Sequence, residues 1–75
     1  MVEVEVELFS TFQRGRFKKS TFTLEDKSNV QDLLAKLEIS PDEVGIIIVN
    51  RKDAKFNQSL NDKDIVTFIP LIGGG

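Results

Sequence analysis

The chain has 75 residues, of which 40% are hydrophobic and 29% are charged, and its formal net charge of −2 provides no basic surface for nucleic acid. It contains no Cys and no His, which excludes a disulfide framework, a thiolate nucleophile and the side chain that most often serves as a general base. Both absences argue against an autonomous enzyme.

The composition also bears on where the protein works. No apolar run approaches the roughly 20 residues that are needed to cross a membrane. The beginning of the chain, MVEVEVELF, has acidic residues where a signal peptide has basic ones. We therefore expect a cytoplasmic protein that does not contact a membrane.

The first predicted element is a strand over residues 2–9. Valine and then leucine alternate with glutamate from Val2 to Leu8, so all the apolar side chains lie on one face. This period of two is typical of a strand with one buried and one solvated face. The glutamates are spaced two apart and no partner group is near them in the sequence, so we interpret them as a solvated face and not as a metal or acid–base cluster.

A hairpin is predicted next. Residues 10–16 contain Gly15 and indicate a loop or hairpin tip, and residues 17–24 return as a second strand. A basic cluster lies around this tip, interleaved with two phenylalanines. Its members are Arg14, Arg16, Lys18 and Lys19. A tip that faces solvent explains the cluster more simply than a contact with RNA.

One helix is predicted after the hairpin. Ser28 is a suitable N-cap, and Gln31, three residues later, completes the pattern of a capping box. Asp32 and Lys36 have the spacing of an exposed ion pair on the helix surface. Apolar residues then form one stripe at i, i+3, i+4 and i+7, which predicts a helix that buries this stripe in the core. The stripe consists of Val30, Leu33, Leu34 and Leu37.

Shorter elements are predicted in the second half of the chain. Residues 40–43 have a helix-start signal with Pro41 but room for only a single turn. Residues 46–49 are a short β-branched run and predict a buried strand. Residues 54–57 are predicted to add a short edge strand, and residues 60–64 to form a polar turn. This order of elements predicts an α+β domain in which a sheet packs against one main helix.

The last strand is predicted at residues 65–69. Pro70 should end it because proline has no N–H to give to a neighbouring strand, so all later residues should leave the sheet. The chain then finishes in Gly73, Gly74 and Gly75, which have no side chain to anchor them. We therefore divide the chain into a folded domain, residues 1–70, and a flexible glycine tail, residues 71–75.

The segment that leads into the tail resembles the end of the small sulfur carrier proteins of the ThiS/MoaD type. Those chains finish in the pattern L-x-D-G-D-x-V-x-F-x-P-x-x-G-G. The matching residues here are Leu60, Asp62, Asp64, Val66, Phe68, Pro70, Gly73 and Gly74. The sequence departs from the pattern at Lys63, where the family usually has glycine, and at Gly75, which is an additional residue. The resemblance implies the ubiquitin-like β-grasp fold, with a mixed sheet against the helix.

The resemblance also implies a function for the terminal glycine. An ATP-dependent, E1-like activating enzyme would join the carboxylate of Gly75, or of Gly74 if Gly75 is removed, to AMP. A cysteine desulfurase or sulfurtransferase would supply the sulfur that converts it to a thiocarboxylate. The acceptor would be a synthase, either thiazole synthase or the large subunit of molybdopterin synthase. The chain itself would hold no cofactor and no metal.

A partner must bind more than the tail. Ordering three tail residues costs roughly 3 to 6 kcal/mol, and burying Leu71 and Ile72 returns about 1.5 to 3 kcal/mol each. Because these terms nearly cancel, the folded body must supply affinity, and the last strand is the candidate. We expect Phe68 and Pro70 to bind the partner together with Leu71 and Ile72, with a role in the core as the alternative for Phe68.

Two other functions fit the same sequence. A ubiquitin-like modifier would use the same activated carboxylate to join lysines of other proteins. An interaction module would bind its partner through the folded domain, and its glycine tail would be incidental. The sequence does not choose between thiamin, molybdenum or tungsten cofactor synthesis and another sulfur transfer.

Overall fold

The computed structural model describes residues 1–71, in which it places five strands, one α-helix and two 3-10 turns. Residues 72–75, which include most of the predicted tail, lie outside the described residues. The strands are β1 (Val2–Leu8), β2 (Lys19–Leu24), β3 (Val44–Val49), β4 (Lys52–Asp53) and β5 (Ile65–Pro70). The helix is α1 (Val30–Leu37), and the 3-10 turns are Ser10–Gln13 and Pro41–Glu43.

The strands form one mixed sheet in the order β2-β1-β5-β3-β4. The first and last strands run parallel, with Val6 opposite Val66 and Leu8 opposite Phe68, and the other neighbouring strands are antiparallel. The last strand therefore lies in the middle of the sheet, between β1 and β3. The predicted α+β class and the mixed sheet are confirmed.

One face of the sheet and the apolar stripe of α1 form a single core. The alternating apolar residues of β1 are at most 1% exposed from Val4 onward, as the period of two predicts. The four residues of the helix stripe are buried as well, which confirms the predicted helix. The largest fully buried side chains are Phe68, Leu8, Leu33, Leu34 and Leu60.

The cap of α1 differs from the prediction by one residue. Asn29 is the N-cap: its Oδ1 accepts from the backbone N–H of Asp32 at 2.9 Å, and Oδ2 of Asp32 accepts from the N–H of Asn29 at 3.0 Å. The predicted Ser28–Gln31 box is wrong, because the carbonyl of Ser28 accepts from the N–H of Leu60 at 2.8 Å and holds this residue in an extended pairing. Both residues are good caps, and a contact distant in sequence selects between them.

One predicted pair of charged residues is also wrong. Asp32 does not pair with Lys36, whose Nζ donates instead to the carbonyl of Thr23 at 3.3 Å. The four residues of the basic cluster are exposed, as predicted, and the guanidinium of Arg16 in addition reaches the end of α1. It donates to the carbonyls of Leu37 and Glu38, each at 3.2 Å, and so satisfies acceptors that the helix leaves free.

The second half of the chain shows two further differences. The edge strand is β4, Lys52–Asp53, and not residues 54–57, because a tight turn at Asn50 and Arg51, both with positive φ, reverses the chain at once. Pro70 does not end the pairing of β5. It lies opposite Val44, and the next residue, Leu71, donates its N–H to the carbonyl of Glu43 at 2.8 Å. The donor that Pro70 lacks is therefore not required at this position of the ladder.

Candidate functional site

The residues predicted to bind a partner lie at the end of β5, and the structure separates them. Phe68 is 0% exposed in the core, and Pro70 is buried. Leu71 is 67% exposed, and Ile72 lies outside the described residues, as do Gly73, Gly74 and Gly75. Phe68 therefore has the core role that the sequence left as its alternative, and Leu71 is the member of this group whose described side chain can meet a partner directly.

The sheet face opposite α1 carries an apolar surface. Alternate residues of β5 point to the two faces of the sheet, so every second side chain from Ile65 onward lies on this face. Ile65 and Ile46 are each 46% exposed, and Ile48, Thr67 and Ile69 are half-buried. Ile46 lies opposite Ile69, and Ile48 lies opposite Thr67, so these side chains share one face across β3 and β5. We call this set, Ile46, Ile48, Ile65, Thr67 and Ile69, the open face.

A hollow of about 430 Å³ lies on the open face and has a charged rim. Ile48, Ile65 and Thr67 contribute its apolar floor. The rest of its lining is polar: Glu5, Glu7, Lys19, Asn50 and Arg51. An apolar floor with polar groups around it is the usual anatomy of a surface that binds another protein.

Glu5 and Glu7 of β1 form the acidic side of this rim, and Glu3 lies outside it. Glu5 pairs with Lys19 at 3.7 Å, and Glu3 pairs with Lys63 at 3.5 Å. Within residues 1–71 these glutamates do not belong to any group of acidic residues that could hold a metal ion. The side chains of Glu3 and Glu5 are 53% and 40% exposed, which agrees with the interpretation of this face as solvated. The pattern of β1 alone could not predict their ion pairs with lysine, because both lysines are distant in sequence.

The acidic residues of the family motif build the turn that precedes β5. Oδ1 of Asp62 accepts from the N–H of Glu3 at 2.8 Å. The carboxylate of Asp64, only 7% exposed, accepts from Nδ2 of Asn50 at 2.8 Å and from the N–H of Asn61 at 2.7 Å. These aspartates fix the chain where β5 enters the sheet, and neither lies at the tail.

The turn also explains the glycine that the motif has at position 63. Lys63 adopts φ 73°, a left-handed conformation that glycine reaches at little steric cost. Its N–H donates to the carbonyl of Glu3 at 2.7 Å, which holds it in place. The departure from the motif thus places a residue with a Cβ in a backbone conformation that favours glycine.

Asn50 is the residue of this region that sequence reasoning missed. Its Oδ1 accepts from the N–H of Ile65 at 2.9 Å, and its Nδ2 donates to Asp64, so one amide joins the turn after β3 to the beginning of β5. The available signal in the sequence was an asparagine between two strands, because this residue is typical of tight hairpin turns. In the structure Asn50 adopts φ 52°.

Comparison with known proteins decides the family. The model of the ThiS family matches residues 6–75, which is nearly the whole chain. The chain belongs to the ThiS family. A Pyrococcus furiosus protein described as a molybdopterin converting factor, subunit 1, has 25% identity and a TM-score of 0.79, with 96% of this chain and 100% of that chain covered. No curated protein matches the chain.

Two further solved structures share the fold of this ThiS-family protein. Small archaeal modifier protein 1 of Haloferax volcanii has 14% identity and a TM-score of 0.78, with 96% and 100% of the two chains covered. Subunit 1 of the Helicobacter pylori molybdopterin-converting factor, solved in complex with subunit 2, has 21% identity and a TM-score of 0.68, with 99% and 100% covered. The ubiquitin-like β-grasp fold is confirmed.

The family match places the protein among the ThiS/MoaD-like proteins. Its members are small carrier proteins rather than catalysts. Within residues 1–71, no helix has both the length and the apolar character to cross a membrane.

Proposed function

We propose that this ThiS-family protein is a sulfur carrier whose terminal glycine, Gly75, is adenylated and then converted to a thiocarboxylate. The observation that supports the proposal most strongly is the family match, which runs from residue 6 through the glycine tail to residue 75. The absence of Cys adds to it, because sulfur has no side-chain thiol to occupy on this chain. The carboxylate is the remaining carrier group, and the chain is a substrate of its partners rather than a catalyst.

The chemistry takes place in two stages on the partners. In the first, a carboxylate oxygen attacks the α-phosphorus of ATP, pyrophosphate leaves, and an acyl adenylate forms. In the second, the terminal sulfur of a protein persulfide attacks the acyl carbon and AMP leaves. A thiol then reduces the resulting acyl disulfide, which releases the thiocarboxylate and a disulfide. The persulfide comes from a cysteine desulfurase or a sulfurtransferase.

The chain contributes a tail without bulk and a surface that docks. Glycine has no Cβ to crowd the adenylation site, which is why residues 73–75 suit it. The open face supplies the affinity that the tail cannot, since Ile46 and Ile65 lie exposed on the same side of the sheet. Residues 1–70 thus act as the domain that docks on a partner, and residues 71–75 act as the reactive tail. The proposed place of this reaction is the cytoplasm.

The partners follow from this division of labour. The first is an ATP-dependent, E1-like activating enzyme, and the last is an acceptor synthase. The H. pylori relative was solved with subunit 2 of its converting factor, which favours the large subunit of molybdopterin synthase as the acceptor over thiazole synthase. Molybdopterin or tungsten cofactor synthesis is accordingly the pathway that we place first.

A second function is supported by the fold shared with the archaeal modifier protein. In that case the lysine amine of a target protein, and not sulfur, attacks the acyl carbon after activation. The amine loses a proton, AMP leaves and an isopeptide bond forms at Gly75. Carrier and modifier share the activation stage, and only the attacking nucleophile differs between them.

Pyrophosphate exchange into ATP tests the shared stage. A cognate activating enzyme should catalyse the exchange with the full-length chain, and should not with a chain that has one alanine added after Gly75. The extended chain keeps the whole open face and is therefore a control for docking. A full-length chain that binds the enzyme but supports no exchange would favour an interaction module with an incidental tail.

A further inference from the structure

The root of the tail is held by the backbone that precedes β3. The N–H of Leu71 donates to the carbonyl of Glu43 at 2.8 Å, and Pro70 lies opposite Val44. The register of the two strands shifts between Val44 and Ile46, so Gly45 is the extra residue of a β-bulge. A bulge bends the strand that contains it. This one lies beside Ile69 and Pro70, the last residues of β5 before the tail.

The backbone of Pro70 and Leu71 leaves little space for a side chain at Gly45. A Cβ built there would lie 3.0 Å from Cα of Leu71 and 3.1 Å from the carbonyl oxygen of Pro70. Both contacts are with backbone, which cannot rotate away as the end of a flexible side chain can. The φ of Gly45 lies outside the left-handed range, so backbone freedom is not the reason for glycine here. An added Cβ would force the backbone of Pro70 and Leu71 to move by a few tenths of an ångström, so the close approach favours a residue without a side chain.

The carbonyl of Glu43 is fixed by the 3-10 turn to which it belongs. The N–H of Glu43 donates to the carbonyl of Ser40 at 2.9 Å, and Oε1 of Glu43 accepts from the N–H of Ser40 at 3.2 Å. Pro41 restricts the first residue of the turn. The acceptor that meets Leu71 is therefore part of a rigid segment.

We infer that the carbonyl of Glu43 and the bare backbone of Gly45, together the tail clamp, set the direction in which the reactive tail leaves the domain. Gly45 is on this account a positioning residue for activation of the tail, and the inference rests on the function proposed above. Only Leu71 and Ile72 lie between Pro70, the last residue of β5, and the three glycines. A fixed Leu71 thus limits where the carboxylate can be found relative to the open face.

The tail clamp should affect the reaction step more than docking. The open face binds the activating enzyme whether or not Leu71 is held. A released root, however, lets the carboxylate explore directions that miss the adenylation site, and this lowers the fraction of complexes that are ready to react. The expected signature is a lower kcat for the carrier at a nearly unchanged KM.

Gly45→Ala tests the clamp, with Gly15→Ala as its matched control. Gly15 has φ 64° and nothing within 4 Å of an added Cβ, so its substitution strains the backbone without a clash and without contact with Leu71. In Gly45→Ala, the amide of Leu71 should exchange its hydrogen about tenfold faster than in the wild type, as loss of one hydrogen bond predicts, while the amides of Val66 and Phe68 stay protected. In Gly15→Ala, the amide of Leu71 should keep its protection.

Kinetics with the activating enzyme complete the test. We expect the kcat for adenylation of Gly45→Ala to fall about tenfold, with KM within about twofold of the wild type and of Gly15→Ala. Retained protection of Leu71 in Gly45→Ala, or wild-type kcat despite lost protection, would overturn the inference. A wild-type chain that the enzyme does not adenylate would instead remove the proposed function, and the positioning role with it.

A second pair of variants applies if Gly45→Ala does not fold. Leu71→Pro removes the N–H that Glu43 accepts, and Leu71→Ala removes the same side chain but keeps the N–H. The residue before a proline is favoured in an extended conformation. Pro70, which would precede the new proline, is part of β5 and is therefore already extended. The kcat of Leu71→Pro should be about tenfold below that of Leu71→Ala; equal values would contradict the clamp.

Discussion

The carboxylate of Asp64 accepts a hydrogen bond of 2.8 Å from the side-chain amide of Asn50, and this contact joins the turn after β3 to the beginning of β5. The same amide accepts from the N–H of Ile65, and the N–H of Asn50 donates back to the carbonyl of Ile65 at 2.8 Å. β5 is the strand that carries the tail, and this network fixes the end of β5 that is remote from the tail.

The first prediction concerns the stability that this network provides. Asp64→Ala should lower the free energy of unfolding by about 2 kcal/mol, because the amide of Asn50 and the N–H of Asn61 lose their acceptor in a part-buried site. Asp62→Ala, which removes an exposed acceptor, should cost about 1 kcal/mol or less. Denaturant unfolding measures both values, and equal losses for the two variants would contradict the assigned roles.

The second prediction concerns the strained turn at residue 63. Lys63→Gly should raise the free energy of unfolding by up to about 1 kcal/mol, because φ 73° is unfavourable for a residue with a Cβ. Lys63→Ala is the matched control: it removes the exposed ion pair with Glu3 but keeps the Cβ, and should not stabilise. Thermal unfolding of both variants distinguishes backbone strain from the charge, and a Gly variant no more stable than the Ala variant would show that strain is absent.

The third prediction separates the two faces of β5. Phe68→Ala should destabilise the protein by roughly 3 to 5 kcal/mol, because it leaves a cavity in the core. Thr67→Ala, on the half-buried open face, should change stability by about 0.5 kcal/mol or less. Unfolding followed by circular dichroism measures the difference, and similar small effects of the two substitutions would exclude Phe68 from the core.

The fourth prediction concerns docking on the open face. Ile65→Glu should lower the melting temperature by only a few degrees, because Ile65 is already 46% exposed and the main cost is repulsion from Glu5, which lies opposite on β1. It should weaken binding to the activating enzyme by at least about tenfold, since a charge would be buried in an apolar contact. Ala35→Glu, an exposed change on α1 at the other side of the domain, is the control and should bind as the wild type does. Unchanged affinity of Ile65→Glu, measured by calorimetry, would show that partners bind elsewhere.

The elements that the sequence predicted well are those with a long and unambiguous period. β1 alternates over its whole length, and the stripe from Val30 to Leu37 is regular, so local pattern and tertiary packing agree. The helix cap was misplaced because Ser28 and Asn29 are both suitable, and the carbonyl of Ser28 is used by Leu60. β4 was misplaced because two residues are too few to show a period.

The sequence predicted only part of the candidate site, because the rest depends on which face of β5 is covered and on contacts between residues that are distant in sequence. β5 has apolar residues on both faces, so its sequence does not reveal that α1 covers Val66 and Phe68 and leaves Ile65 open. The motif marks Asp64 but not its partner Asn50, which is distant in sequence. Gly45 carries no motif at all, and its role follows only from the approach of Leu71 in three dimensions.

Intact mass spectrometry tests the central claim most directly. The full-length chain, ending at Gly75, and a version ending at Gly74 are incubated with the cognate activating enzyme, ATP, a persulfide donor and a thiol. We predict that the full-length chain gains the mass of one sulfur atom in place of one oxygen, and that it loses this gain when ATP is omitted. Reaction of the shorter version alone would move the working terminus to Gly74. Failure of both versions to acquire sulfur would contradict the account of this protein as a sulfur carrier.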